Sequence, residues 1–463
     1  MAHFDLCIIG TGSGNSILDE RFDDWSVAIV ERGTFGGTCL NVGCIPSKMF
    51  VHTADVADTP RDAARLGVQE RLLGVDWPAI RDRIFGRIDP IAAAGRRYRI
   101  EDCPNVTVFE GTARFTGPKE LTVAPNAGGA PQTLTADQIV LANGSRPTLP
   151  PIPGLADVDY DTSDTIMRID RLPRRLGILG GGYISAELAH VFSSFGVEVT
   201  IVCRSPWMLR EEDDDVSHRF TELAATRWDV RLGRQGRRVS EAGGTITLEL
   251  IAGDEAETVE VNRLLVATGR RPNSDLLDLP VAGVATHADG RIVVDANQRT
   301  SVPGIWALGD VSSEHQLKHV ANHEERVVQH NLLHPEAMIE SDHRFVPHAV
   351  FSSPQVASVG LTEREAVAQG RAYVVGREAY AGIAFGWALE DTSGFAKLLA
   401  EPHTGQLLGA HLIGYDASSL LQPLIQAMHF GLDAHRMARG QYWIHPALPE
   451  LVENALLDLP LGD

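Results

Sequence analysis

Short apolar runs recur along the chain, and most run directly into glycine-containing turns. Phe4–Ile9, Val27–Val30 and Ile139–Ala142 are the first three, and Leu176–Leu179, Val197–Val202, Leu264–Ala267 and Ile305–Leu308 come later. Apolar stretches of this length between turn residues predict strands buried on both faces, as in a parallel sheet. Residues 50–100 read instead as helices with acidic and basic faces, broken near Pro60 and Pro78, with Asp89-Pro90 interrupting the second region. Residues 105–139 read as short strands and residues 316–334 as a helix. From about residue 345 the character changes to strands such as Ala396–Leu399 and Leu408–Ile413, then helices near 416–431 and 433–439.

The exit from Ile139–Ala142 through Gly144, Arg146 and Pro147 returns at Leu264–Ala267 with Gly269, Arg270 and Pro272. The chain therefore holds two similar dinucleotide folds in tandem. Pro147, Pro150, Pro151 and Pro153 form a stiff connector between them. The expected fold class is α/β, with two tandem Rossmann-like dinucleotide-binding domains and a C-terminal α+β domain. Its segments are 1–148, 149–272, 273–344 and 345–463.

Composition narrows the choice of partner. Among 463 residues the net charge is -20, which disfavours nucleic acid and anionic membrane surfaces. No apolar run reaches the length of a membrane span. The N-terminus enters its first strand without a basic start or cleavage site, so no secretory signal is expected. Five cysteines are few and odd in number, which points to a reducing cytoplasm. A disulfide kept in that compartment is more readily catalytic than structural.

The candidate chemistry lies at four places. Gly10, Gly12 and Gly14 form a glycine-rich turn between a strand and an expected helix, where backbone amides can approach a pyrophosphate. Glu31, at the end of the next strand, can hold a ribose. The third glycine position holds Asn15, which would set the helix slightly further from the strand. Gly180, Gly181 and Gly182 make a second such turn. There the following strand ends in Cys203 rather than an acid, and Arg204 and Arg210 suit the 2′-phosphate of NADP. Asp310, at the end of the last apolar run, can hold a sugar-alcohol hydroxyl.

The third place is Gly36–Lys48, with Cys39 and Cys44 five residues apart. On a regular helix such Cα atoms lie roughly 8–9 Å apart, and a disulfide needs them within about 7 Å. If the sulfurs pair, the helix must bend between them, and Gly43 is where it can. Spacing alone leaves open two cysteines that never meet. The fourth place is His445-Pro446 followed by Pro449-Glu450: the proline keeps His445 out of helical geometry, and Glu450 is near enough in sequence to fold back onto the imidazole. No metal site is expected.

Together these motifs resemble the flavoprotein disulfide reductases, the family of glutathione reductase and lipoamide dehydrogenase. The Cys-x4-Cys segment carries the resemblance most specifically, and it extends over essentially the whole chain. Gly10–Phe22, Pro46–Ala57, Leu317–Leu333 and Gly440–Leu457 are similar to one branch of that family, which reduces the disulfide of a small thiol. The resemblance implies FAD in the first site and NADPH in the second. It also implies a homodimer in which His445 faces the partner subunit's cysteines.

By the same resemblance Cys39 is the interchange thiol, Cys44 the thiol against the flavin, His445 the acid/base and Glu450 its orienting partner. Glu31 matches the FAD ribose acid and Asp310 the ribityl contact. Thr38 and Lys48 fall near the flavin, and Glu187 matches the acid beside its N5. Arg204 and Arg210 join Gly180 and Gly182 in the nicotinamide nucleotide set, and Arg270 is a further cofactor-binding candidate. Dihydrolipoamide dehydrogenase, or another small-disulfide reductase of the family, is the alternative; the former wants an acid where Cys203 stands.

Overall fold

The computed structural model describes residues 2–461 and divides into two compact units. The first comprises Met1–Ser47, Ala79–Thr148 and Gly269–His343. Its parallel strands are β1 (Ala2–Ile9), β2 (Val27–Glu31), the first half of β3 (Val106–Gly117), β5 (Gln132–Leu141) and Ile305–Ala307. β1 lies between β2 and β5, with Leu6 opposite both Val27 and Gln138. The second half of β3 turns into an antiparallel meander with β4 (Glu120–Pro125) and β5.

The burial explains why these strands read as unbroken apolar runs. Cys7, Ile9, Ala28, Val30, Ile139 and Leu141 point to one face, where the meander covers them with Phe115, Leu121 and Leu134. Leu6, Ile8, Val27, Ile29 and Val140 point to the other, under Val328 and Leu332 of the helix Lys318–Leu333. A strand sandwiched on both sides has no position left for a polar side chain.

The second unit comprises Lys48–Pro78, Leu149–Thr268 and Arg344–Asp463. It repeats the first plan. Arg175–Leu179 lies between Glu198–Cys203 and Arg263–Val266 in a five-stranded parallel sheet, and a three-stranded antiparallel meander over 235–261 covers one face. The rest of the unit is a five-stranded antiparallel sheet over residues 348–414. The helices Ala417–Leu420, Gln422–Phe430, Ala434–Arg439 and Glu450–Leu457 pack on it through Leu424, Met437, Leu451 and Val452.

The break expected near Pro60 and Pro78 is present, since one helix runs from Cys44 to Ala63 and the next starts at Trp77. Two other expectations need correction. Pro90 lies inside the helix Trp77–Arg97, whose Ile84, Phe85, Ile88 and Ala92 are buried on both sides of it. Burying those side chains contributes several kcal/mol, which outweighs the ~3 kcal/mol cost of an interior proline. Between 105 and 139 the strands are long rather than short, because β3 and β5 each serve both a parallel sheet and the meander. No helix among the described residues is long and apolar enough to cross a membrane.

Candidate functional site

In the first unit the chain leaves β1 at Gly10, whose φ of 102° and close approach to Ala142 exclude a side chain: an added Cβ would sit 2.4 Å from the Ala142 oxygen. Beyond Gly12 the chain does not form the expected helix. It forms a 3-10 segment, Ser13–Ile17, ending in the extended residue Leu18. The third glycine's packing role has moved to Gly14, where a Cβ would meet Ala142 Cβ at 2.7 Å and Ile8 Cγ2 at 3.1 Å. Asn15 turns away from the strand and serves the buried Arg99, whose Nε donates to Asn15 Oδ1 at 2.9 Å and whose Nη2 donates to the Asn15 oxygen at 2.8 Å.

Glu31 ties the turn together. Its Oε2 accepts from the Thr11 amide at 2.8 Å and the Thr11 hydroxyl at 2.7 Å, and its Oε1 accepts from the Gly33 amide at 2.7 Å. A carboxylate offers roughly four acceptor sites, so one remains for a ribose hydroxyl. Gly37 faces Gly12 so closely that a Cβ on it would lie 2.8 Å from the Gly12 Cα. This glycine-walled cradle fits the dinucleotide part of FAD. Asp310 Oδ2 accepts from the Ser145 hydroxyl at 2.6 Å, and that hydroxyl accepts from Arg270 Nε at 2.9 Å. Ser145 thus links Arg270 to Asp310.

The redox segment is bent where the spacing requires. α1 (Gly37–Asn41) and α2 (Cys44–Ala63) are separate helices, with Val42 and Gly43 between them. Thr38 and Cys39 lie in α1, Cys39 half-buried; Cys44 opens α2 and is exposed. The reason for Gly43 differs from the one expected. Its φ is not left-handed; a Cβ there would approach the Thr38 oxygen to 2.9 Å, so the position needs space rather than conformational freedom. Asn41, buried, holds the loop before α1 by donating to the Phe35 oxygen at 2.8 Å.

In the second unit Gly180 repeats the role of Gly10, with φ 125° and a Cβ position 2.2 Å from the Ala267 oxygen. Gly181 lies against Cys203, whose thiol is pushed up by burial. Gly182 caps a full helix, Tyr183–Ser194, and faces open space. Lys48 and Glu187 are brought together: the ammonium donates to both carboxylate oxygens, at 2.8 and 2.7 Å, and the Phe351 amide adds a third bond at 3.0 Å.

Arg204 is exposed just past the strand end, and Arg210 is exposed beside Glu211 at 2.9 Å. The intervening loop is built tightly. Leu209 has φ 50° and its amide donates to the Gly181 oxygen at 2.7 Å. Five acids come next, at 211–215. The buried Lys397 meets Asp213 and Asp215, each at 2.7 Å, Arg364 pairs with Asp214, and His348 pairs with Glu212 at 2.8 Å. These cations offset much of the charge of the acidic run.

His445 presents an exposed ring whose Nδ1 donates to Glu450 Oε1 at 2.6 Å. Glu450 Oε2 also accepts from the Ala447 amide at 3.2 Å, so the carboxylate grips the turn and the ring together. The hydrogen bond from His445 holds the Glu450 carboxyl below its ordinary range. Sequence reasoning missed Arg99, Lys318 and Lys397; only the unmatched acidic run at 211–215 signalled that cations had to come from elsewhere.

Comparison with known proteins agrees with this geometry. Residues 4–325 match the family described as pyridine nucleotide-disulphide oxidoreductase, and residues 346–456 match its dimerisation domain. The chain is 54% identical over 467 residues to a mycothione reductase of Mycobacterium tuberculosis strain H37Rv, covering 99% of this chain and 100% of that one. It is 37% identical over 454 residues to a mercuric reductase of Streptomyces lividans, covering 96% and 93%. Among solved structures, the Cu(II) complex of the HOCl-induced flavoprotein disulfide reductase RclA from Escherichia coli superposes with a TM-score of 0.86 at 28% identity, covering 99% of each chain. The dimerisation domain makes the assembly a homodimer. The chain therefore belongs to the pyridine nucleotide-disulphide oxidoreductases, as an FAD-containing disulfide oxidoreductase served by NAD(P)H.

Proposed function

We propose that this protein is an NADPH-dependent reductase of mycothione, the disulfide of the sugar-linked thiol mycothiol, working through Cys39 and Cys44. The observation that carries the reading is the break between α1 and α2, which separates the two cysteines beside the Gly12–Gly37 cradle. The substrate is inferred from the 54% identical relative, matched over its full length. Segments 1–148 and 273–344 form the FAD domain, 149–272 the NADPH domain and 345–463 the dimer domain. The few cysteines favour the cytoplasm.

Glu31, Thr38, Asp310 and the Gly10–Gly14 turn hold FAD; Gly180, Gly182, Arg204 and Arg210 hold NADPH. Lys48 and Glu187, as one ion pair, lie near the flavin. FAD bound in this cradle would supply the redox link between the hydride of NADPH and the Cys39–Cys44 pair. With the pair reduced, Cys39 is the nucleophile as its thiolate. His445 of the partner subunit takes the Cys39 proton, with Glu450 fixing its ring through Nδ1. The thiolate attacks one sulfur of the substrate disulfide and expels the first thiolate, which receives the proton from His445. Cys44, as its thiolate, then attacks Cys39 in the mixed disulfide and expels the second thiolate, which takes a proton from solvent, and the oxidised pair is restored. A thiolate on Cys44 meets the positive end of the α2 dipole.

The test is NADPH consumption with mycothione, glutathione disulfide and lipoamide in parallel, for wild type and the Cys39→Ser and Cys44→Ser variants. Mycothione is expected to be preferred, and each variant to lose disulfide turnover while NADPH still bleaches the flavin. Preference for either other disulfide refutes the substrate, and retained turnover in both variants refutes the mechanism.

A further inference from the structure

In a dinucleotide fold the pyrophosphate lies at an α-helix N-terminus, where free amides and the helix dipole supply about half a positive charge. The first glycine turn here lacks that element. It runs into a five-residue 3-10 segment, too short to carry much dipole. A cation from elsewhere in the unit reaches the turn instead. Lys318 opens the helix Lys318–Leu333, and its Nζ donates to Ser13 Oγ at 2.7 Å. Ser13 is buried within the turn.

Among the described residues no carboxylate lies within ion-pair distance of the half-buried Lys318; the buried Glu325 of the same helix attracts it only from further away. The ammonium carries three donors and Ser13 takes one, so donors remain for an anion at the turn. Arg99 does not fill the role, because its Nε and Nη2 are committed to Asn15 and Leu18.

We propose that Lys318 binds the pyrophosphate of FAD, supplying from a helix far along the chain the positive charge that the missing helix terminus does not. The proposal rests on the reading of the Gly10–Gly14 turn as the FAD pyrophosphate site. Ser13 aims the ammonium across the turn, and the phosphate oxygens complete its hydrogen bonds.

The experiment strips FAD from the full-length protein and tracks rebinding by flavin fluorescence. In Lys318→Met the Kd for FAD rises about tenfold or more at low salt, and Lys318→Arg regains most of the loss. Raising the salt weakens wild type more than Lys318→Met, so the gap narrows. A Kd for Lys318→Met within twofold of wild type overturns the proposal. So does equal impairment of the Met and Arg variants with a gap indifferent to salt, which marks a packing role. Glu31→Ala is the control for the underlying reading. If it binds FAD like wild type, the placement at this turn fails and the proposal with it; if it loses FAD while Lys318→Met does not, the role of the lysine alone fails.

Discussion

Glu450→Ala tests the acid/base assignment through a group that never touches substrate. The variant removes the acceptor that holds His445 Nδ1 at 2.6 Å and leaves the Ala447 amide without its 3.2 Å partner. A hydrogen bond to a charged group contributes about 1.5–3 kcal/mol net. The His445 side chain is 71% exposed, so water replaces part of what is lost and the lower end of that range applies. At about 1.4 kcal/mol per decade, kcat/KM for the disulfide is expected to fall roughly tenfold. Glu450→Gln keeps a carbonyl acceptor but not the charge, and about threefold is expected. Rapid mixing with NADPH in the absence of disulfide isolates flavin reduction, which needs neither residue and stays at the wild-type rate. A change under twofold in kcat/KM for Glu450→Ala, or an equal loss in both half-reactions, refutes the reasoning.

Other changes separate binding from support. The double substitution Arg204→Met, Arg210→Met is expected to lower kcat/KM for NADPH at least tenfold, leaving NADH almost unaffected; steady-state kinetics with both nucleotides check it. Lys397→Met leaves the fully buried Asp213 without its cation and is expected to destabilise by about 3–5 kcal/mol, read as a lower calorimetric Tm. Adding Asp213→Asn recovers part of it. Burial works against a charge on His348, but the hydrogen bond and charge of Glu212 outweigh it and raise its pKa. A raised histidine stabilises the fold fully below its unfolded value of about 6.5, and the contribution is lost as pH rises through the folded value. Urea midpoints at pH 6 and above neutrality are therefore expected to differ less in His348→Gln than in wild type.

The doubly buried strands were legible because their two-sided burial leaves a continuous apolar run, and Ile8 and Ile9 serve opposite faces of one sheet. The repeat of that plan was legible for the same reason. The continuity of the helix through Pro90 was not, because a proline weighs on the local backbone while the burial that overrides it comes from distant residues. Local partners such as His445 and Glu450 can be paired from sequence, since five residues and a proline-defined turn leave few arrangements. Lys397 and Asp213, 184 positions apart, have no such constraint.

The first glycine turn shows why a motif and its mechanism can part. The pattern Gly10, Gly12, Gly14 suggests a strand, a turn and a helix, with Asn15 as a flaw in the third position. The close approach that a third glycine serves is present, but one residue early, because the Gly14 Cβ position is the one blocked by Ala142 and Ile8. Asn15 is then free to take Arg99, and the chain bends into extended structure at Leu18 instead of continuing as a helix. The charge that a helix dipole would have supplied must come from a side chain, and Lys318 is the cation whose position meets that need. A glycine pattern reports where backbone must approach backbone; the charge that binds the phosphate is a separate requirement, met here some three hundred residues further on.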